Sequence, residues 1–189
     1  PNQILLTIKK HLDTARIVSE KTTIGYQQAF RNIGMSLHNN MTFEEWEEVY
    51  KKLIYWELEL EKSSDSGMAE ILNTQKEEAN NLFSRFVEDN YVDWLNNQDD
   101  APIMSHNVFR EKVFPKIEKD GTTFLIVIDN LRLDQWHLLK PQIEEFFWID
   151  KEETYMSILP TTTQYARNAL FAGLLPSEIE KLYPKLWSN

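Results

Sequence analysis

Asp129 closes a five-residue apolar run, Phe124-Leu125-Ile126-Val127-Ile128, and so puts a carboxylate where a buried strand would end. Further along, Pro160-Thr161-Thr162-Thr163 runs straight into a helical pattern, with Arg167 one helical turn beyond Thr163. In an open α/β sheet, ligands bind in the crevice beyond the carboxyl ends of the strands. A helix N-terminus offers an anion free N–H groups and a positive dipole end. Together these positions suggest a carboxylate holding a metal, a threonine hydroxyl facing phosphate and an arginine gripping a phosphoryl oxygen. Each also has a plainer reading. Asp129 opens a turn with Asn130, a threonine before a helix is its N-cap, and Arg167 solvates the helix surface. The four histidines, His11, His38, His106 and His137, are scattered, with no His-Glu-x-x-His spacing and no cysteine partner. There is no Gly-rich phosphate loop and no Gly-x-Ser-x-Gly elbow.

The elements that must carry these residues follow from periodicity. Helical spacing predicts one helix over 4–18, with Ile4, Leu5, Ile8, Leu12 and Ala15 on a stripe. It predicts a second over 23–38, with Tyr26, Ala29, Phe30, Ile33 and Leu37. Thr42-Phe43-Glu44-Glu45 is a capping box, flanked by Met41 and Trp46 at the positions of a hydrophobic staple. It opens a helix through Val49, Tyr50, Leu53, Trp56 and Leu60, and Ser63–Gly67 stops it. A long helix follows, with Met68, Ile71, Leu72, Ala79, Leu82, Phe83 and Phe86 on one face, and it fades in the polar stretch 96–102. That stretch is the domain boundary. Beyond it the period changes to a short helix over 106–119 broken at Pro115, a strand at 122–128, a helix at 133–147 and a strand at 153–159. Helices at about 164–172 and 177–182 complete the series. Strand–helix–strand–helix at these lengths predicts a βαβ unit with a parallel sheet. The fold expected is an α-helical bundle over 19–100 followed by an α/β domain over 101–189.

Composition narrows the function classes. A net charge of −10 argues against a general nucleic-acid-binding surface, which needs clustered Lys and Arg. It leaves a phosphate-ester substrate open, because a bound divalent metal inverts the local potential. Six Trp, seven Tyr and ten Phe are ample for a core, and only five Gly favours helix over loop-rich β structure. The absence of cysteine removes disulfides and thiolate sites and fits a reducing compartment. With no apolar stretch near about 18 residues and no signal peptide, the chain reads as soluble and cytoplasmic, without a membrane partner.

At this point the motifs match a family. The portion from about 122 to 183 resembles the start of alkaline-phosphatase superfamily domains, PglZ domains in particular. Many members carry an apolar strand and then Asp-Gly-x-Arg-x-Asp. Here the stretch is Asp129-Asn130-Leu131-Arg132-Leu133-Asp134, departing at Asn130. They continue with Pro-x-x-Thr and, ten residues after the Thr, Gly-x-x-Pro. Pro160, Thr163, Gly173 and Pro176 stand in that register, which selects Thr163 from the three threonines. Related phosphodiesterases often have Asn three residues after the nucleophile; here Ala166 stands there, with Asn168 or Arg167 as substitutes.

The resemblance implies a site of two zinc ions, with Asp129 ligating one and Thr163 as metal-activated nucleophile. Thr163 would displace the leaving alcohol of a nucleotide-type phosphoester, water would hydrolyse the phosphothreonine, and Arg167 would contact the phosphoryl group. Pro1-Asn2-Gln3-Ile4-Leu5-Leu6 looks like the last helix of a CheY-like receiver domain, taking up 1–18 and running into the linker. Receiver, helical linker and PglZ domain in that order resemble response regulators linked to type IX secretion. Such a protein implies a sensor histidine kinase acting on the receiver, a sigma factor or secretion-motor component as partner, and a homodimer through the linker. On this reading the chain is a piece of a longer protein, and residues 1–189 alone are expected to be inactive, the remaining Asp and His ligands lying downstream. The non-enzymatic alternative is a scaffold that relays receiver phosphorylation through dimerisation of the helical bundle.

Overall fold

The computed structural model describes residues 25–62, 66–96, 101–117 and 121–187. The helix expected over 4–18, and with it the receiver segment, lies outside the described residues. The chain divides into two compact units. The first holds the described residues up to Asn90 together with Arg132–Pro141; the second holds Tyr91–Leu131 and the described residues from Gln142 onward.

Helix α1 covers 25–36, α2 is Phe43–Glu61 and α3 is Ser66–Leu95. The apolar stripes read from spacing are the ones that meet. Tyr26, Phe30 and Ile33 of α1 are buried with Trp46, Val49, Leu53 and Leu60 of α2 and with Leu72 and Ala79 of α3. Burying one large apolar side chain contributes about 1.5–3 kcal/mol, so this cluster, more than helix propensity, holds the three helices. Trp56 sets its ring edge against Tyr26 at 5.5 Å and Phe30 at 6.2 Å, and Trp46 does the same to Phe83 at 5.3 Å. Where α1 and α3 come closest, a Cβ on Gly34 would sit 3.3 Å from the Gln75 side-chain amide, so glycine suits that approach. The Gln75 amide itself donates to the Phe30 carbonyl. At the start of α2 the predicted capping box is complete. Thr42 N–H donates to Glu45 Oε2 at 2.8 Å, and Glu45 N–H donates to Thr42 Oγ1 at 3.3 Å. Met41 and Trp46, the staple pair, are both buried.

Helix α4, Leu133–Glu144, has Pro141 inside it. Its first part belongs to the helical unit. There Asp134 and partial burial raise the pKa of the Tyr50 phenol, burial contributing more.

In the second unit, residues 109–116 form two tight turns rather than the regular helix expected over 106–119. A π-helical turn, Phe109–Val113, passes into a 3₁₀ turn, Phe114–Lys116, where Pro115 lacks the N–H that an α-helix would use. Phe109 meets Phe171 edge-on at 5.6 Å. Helices α5, Thr163–Ala172, and α6, Pro176–Leu182, follow the expected pattern closely.

Among the described residues the expected parallel sheet is absent. The described residues contain no strand, and the β pairing among them is an isolated parallel bridge between Met104 and Met156. In it Met156 N–H donates to Ile103 O at 2.8 Å and Ser105 N–H to Met156 O at 3.2 Å. The α/β reading of 101–189 is therefore corrected to an irregular, partly helical unit. The segment 122–128 has no regular secondary structure, and among the described residues no neighbour takes up its backbone groups in a ladder. Phe124 is 84% and Ile126 80% exposed, so the apolar run read as a buried strand lies in solvent. Periodicity identifies a segment able to pair; it cannot supply the partner that makes a strand.

Candidate functional site

Asp129 stands at a turn whose next residue, Asn130, has φ 60°. Glycine adopts that left-handed conformation freely, and asparagine is among the few other residues that adopt it readily. Asn130 thus suits the backbone bend that follows the carboxylate.

Thr163 is the first residue of α5, and Thr162 holds the N-cap position without making a side-chain cap bond. The Thr163 hydroxyl instead donates to Asp129 Oδ2 at 3.4 Å. Arg167, one turn along α5, reaches the same oxygen at 3.5 Å. Two of the three residues picked out from spacing therefore converge on a carboxylate oxygen of the third, and all three are exposed. Beside them the Tyr155 phenol has its pKa raised, first by partial burial and then by the Asp129 charge. At the helix start, the Tyr165 and Ala166 N–H groups already donate to Thr162 O at 3.0 and 2.9 Å. The Thr163 and Gln164 N–H groups, ahead of the first intrahelical bonds, point out of the helix end.

The far end of α5 explains the Gly-x-x-Pro register. Gly173 stops the helix with φ 64°, its N–H donating to Ala169 O at 2.9 Å, a conformation that costs glycine nothing. Pro176 opens α6, where its missing N–H is not needed. Arg132 and Asp134, the other members of the acidic motif, pair with each other. Arg132 Nε and Nη2 donate to the two Asp134 oxygens at 3.0 and 2.8 Å, and this holds the Asp134 carboxyl below its usual pKa.

Residues 16–95 match the PorX response regulator linker domain, and residues 108–189 match the BREX system PglZ alkaline phosphatase-like domain. The chain is PorX-like and carries a PglZ domain. No curated protein matches it. The linker match covers the three-helix unit, and the PglZ match covers Asp129, Thr163 and Arg167.

Two zinc ions do not fit the donors that this part of the PglZ domain brings together. Asp129 and Thr163 supply two side chains, and among the described residues no three His, Cys, Asp or Glu side chains converge. Among the described residues no helix is long and apolar enough to cross a membrane.

Two hydroxyls near the site escaped the sequence reading. Ile158 N–H donates to Ser105 Oγ at 3.1 Å, and Leu159 N–H donates to Tyr91 Oη at 2.6 Å. These successive amides lead through the cis Leu159–Pro160 bond into the threonine run. Ser105 and Tyr91 carry no local motif, so nothing in the sequence signals them.

Proposed function

We propose that this PorX-like chain belongs to a response regulator whose PglZ domain hydrolyses phosphoesters, phosphodiesters of nucleotide type foremost, with Thr163 as nucleophile. The observation that carries the reading is the convergence of the Thr163 hydroxyl and the Arg167 guanidinium on Asp129 Oδ2. Asp129 orients the hydroxyl; at 3.4 Å the bond is long, as is common before substrate binds. The exposed Arg167–Asp129 pair is worth at most about 1 kcal/mol. A charge-assisted bond to a phosphoryl oxygen is worth about 1.5–3 kcal/mol, so an incoming phosphoryl group would win Arg167 from the carboxylate. The Thr163 and Gln164 N–H groups would face the same oxygens. Attack of Thr163 Oγ on phosphorus forms the Oγ–P bond and expels the leaving alcohol, which takes up the proton the hydroxyl gives up. Water then cleaves the phosphothreonine and restores the hydroxyl. Asp129 is also the zinc ligand that the family resemblance implies, and in that role it needs further donors beyond this cluster.

The test is turnover of a chromogenic aryl phosphodiester by the full-length protein. Thr163→Ala is expected to abolish it while the melting temperature stays within about 2 °C, because the hydroxyl's bond to Asp129 is long and exposed. Undiminished turnover would sink the assignment.

The linker match favours a second reading. The helical unit would relay phosphorylation, set by a sensor histidine kinase, to a sigma factor or secretion-motor component and so regulate type IX secretion, dimerising through its helices. In that case cells carrying Thr163→Ala keep their secretion output, and sedimentation shows a concentration-dependent dimer.

A further inference from the structure

Tyr91 lies in the last turns of α3, inside the span that matches the linker domain. Leu159 lies inside the PglZ span. They are 68 positions apart and belong to the same compact unit. The Leu159 amide donates to the Tyr91 phenol oxygen at 2.6 Å, and that hydroxyl lies 3.4 Å from the Leu159 carbonyl oxygen. Immediately before it, the Ile158 amide is taken by Ser105 Oγ, and both Ile158 and Ser105 are 1% exposed. One side of the approach to the threonine run is thus anchored in the core. The next residue, Leu159, is 46% exposed, and its amide is held by the Tyr91 phenol.

We infer that Tyr91 is a positioning residue for the Thr163 loop. Its hydroxyl fixes the backbone of Leu159, four residues before Thr163, so the end of the linker helix sets where the nucleophile stands against Asp129. Tyr91 does not touch the reacting atoms. Its effect falls on the alignment of Thr163 Oγ, which matters to the transition state far more than to substrate binding. The last turns of α3 therefore have a direct grip on the loop that carries the nucleophile. This role rests on Thr163 being the nucleophile.

The experiment uses Tyr91→Phe in the full-length protein, which keeps the ring and removes only the hydroxyl. Loss of one hydrogen bond is expected to speed hydrogen exchange at the Leu159 amide about fivefold, with the α2 core amides unchanged. Turnover of the aryl phosphodiester should fall by about fivefold or more in kcat, with KM within about twofold. Unchanged exchange at Leu159, or protection lost throughout the chain, overturns the clamp. Faster exchange with kcat unaltered overturns the positioning role. Thr163→Ala, run alongside, separates the two failures. If that variant is inactive and Tyr91→Phe turns over normally, only the Tyr91 role is lost; if it turns over fully, the nucleophile reading goes and the Tyr91 role with it.

Discussion

Thr163 and His106 show how burial sorts polar residues into different kinds of work. Thr163 is exposed and its hydroxyl meets the Asp129 carboxylate, so a substrate can reach it. His106 is the opposite case. It is buried, and its Nδ1 has no hydrogen-bond partner. Burial lowers its pKa from 6.5, the Glu178 charge raises it and the Arg110 charge lowers it, with a net downward shift. The folded protein therefore holds the neutral ring, and the unfolded chain binds the extra proton between the folded value and 6.5. The contribution is complete above about pH 6.5 and is lost as pH falls through the lower folded value. The thermal midpoint should drop between pH 7 and pH 5, and His106→Leu should flatten that part of the profile. An equal slope in the variant would place the proton uptake elsewhere. Asp129 and Thr163 were visible in the sequence because an apolar run and a helix start frame them. His106 appeared there as one more scattered histidine, since burial is not a local property.

Elements divide by where their hydrogen bonds close. Helices α2, α5 and α6 satisfy their backbone within four residues, so spacing, caps and terminal Gly or Pro locate them closely. The Thr42–Glu45 capping box is the clearest case, both of its bonds lying within four consecutive residues. Thr42→Ala should lower the stability of the helical unit by about 1 kcal/mol, read from urea unfolding, with m unchanged. No change in midpoint would mean that burial of Met41 and Trp46 alone fixes the start of α2. The segments 122–128 and 153–159 have strand-like composition but must close their bonds on another segment. One bridge, at Met156, is what the second of them finds among the described residues. The turn at 109–116 departs from a regular helix because Pro115 interrupts the bonding pattern; the sequence marked the break but not the π-helical turn before it.

At the scale of the molecule, a linker-type helical unit and a PglZ-type domain carry separate kinds of information. The first has a closed aromatic core. The second presents an exposed Asp–Thr–Arg cluster that, among the described residues, has too few converging donors for two zinc ions. Residues 1–189 should accordingly take up fewer than two zinc ions per chain in competition with a chromogenic chelator, and stoichiometric uptake of two would contradict the donor count. The sequence by itself determined the three-helix core, the α2 cap, the turn after Asp129 and the helix that presents Thr163. Each of these depends on contacts within a few residues or on a stripe repeated along one helix. Only the tertiary structure decided that Thr163 and Arg167 meet the same Asp129 oxygen, that Tyr91 and Ser105 hold adjacent amides, and that the apolar run before Asp129 pairs with no strand among the described residues. Those outcomes join residues between 34 and 68 positions apart, or depend on a partner being absent. A spacing pattern records which residues can pair, whereas the folded chain settles which of them come within bonding distance.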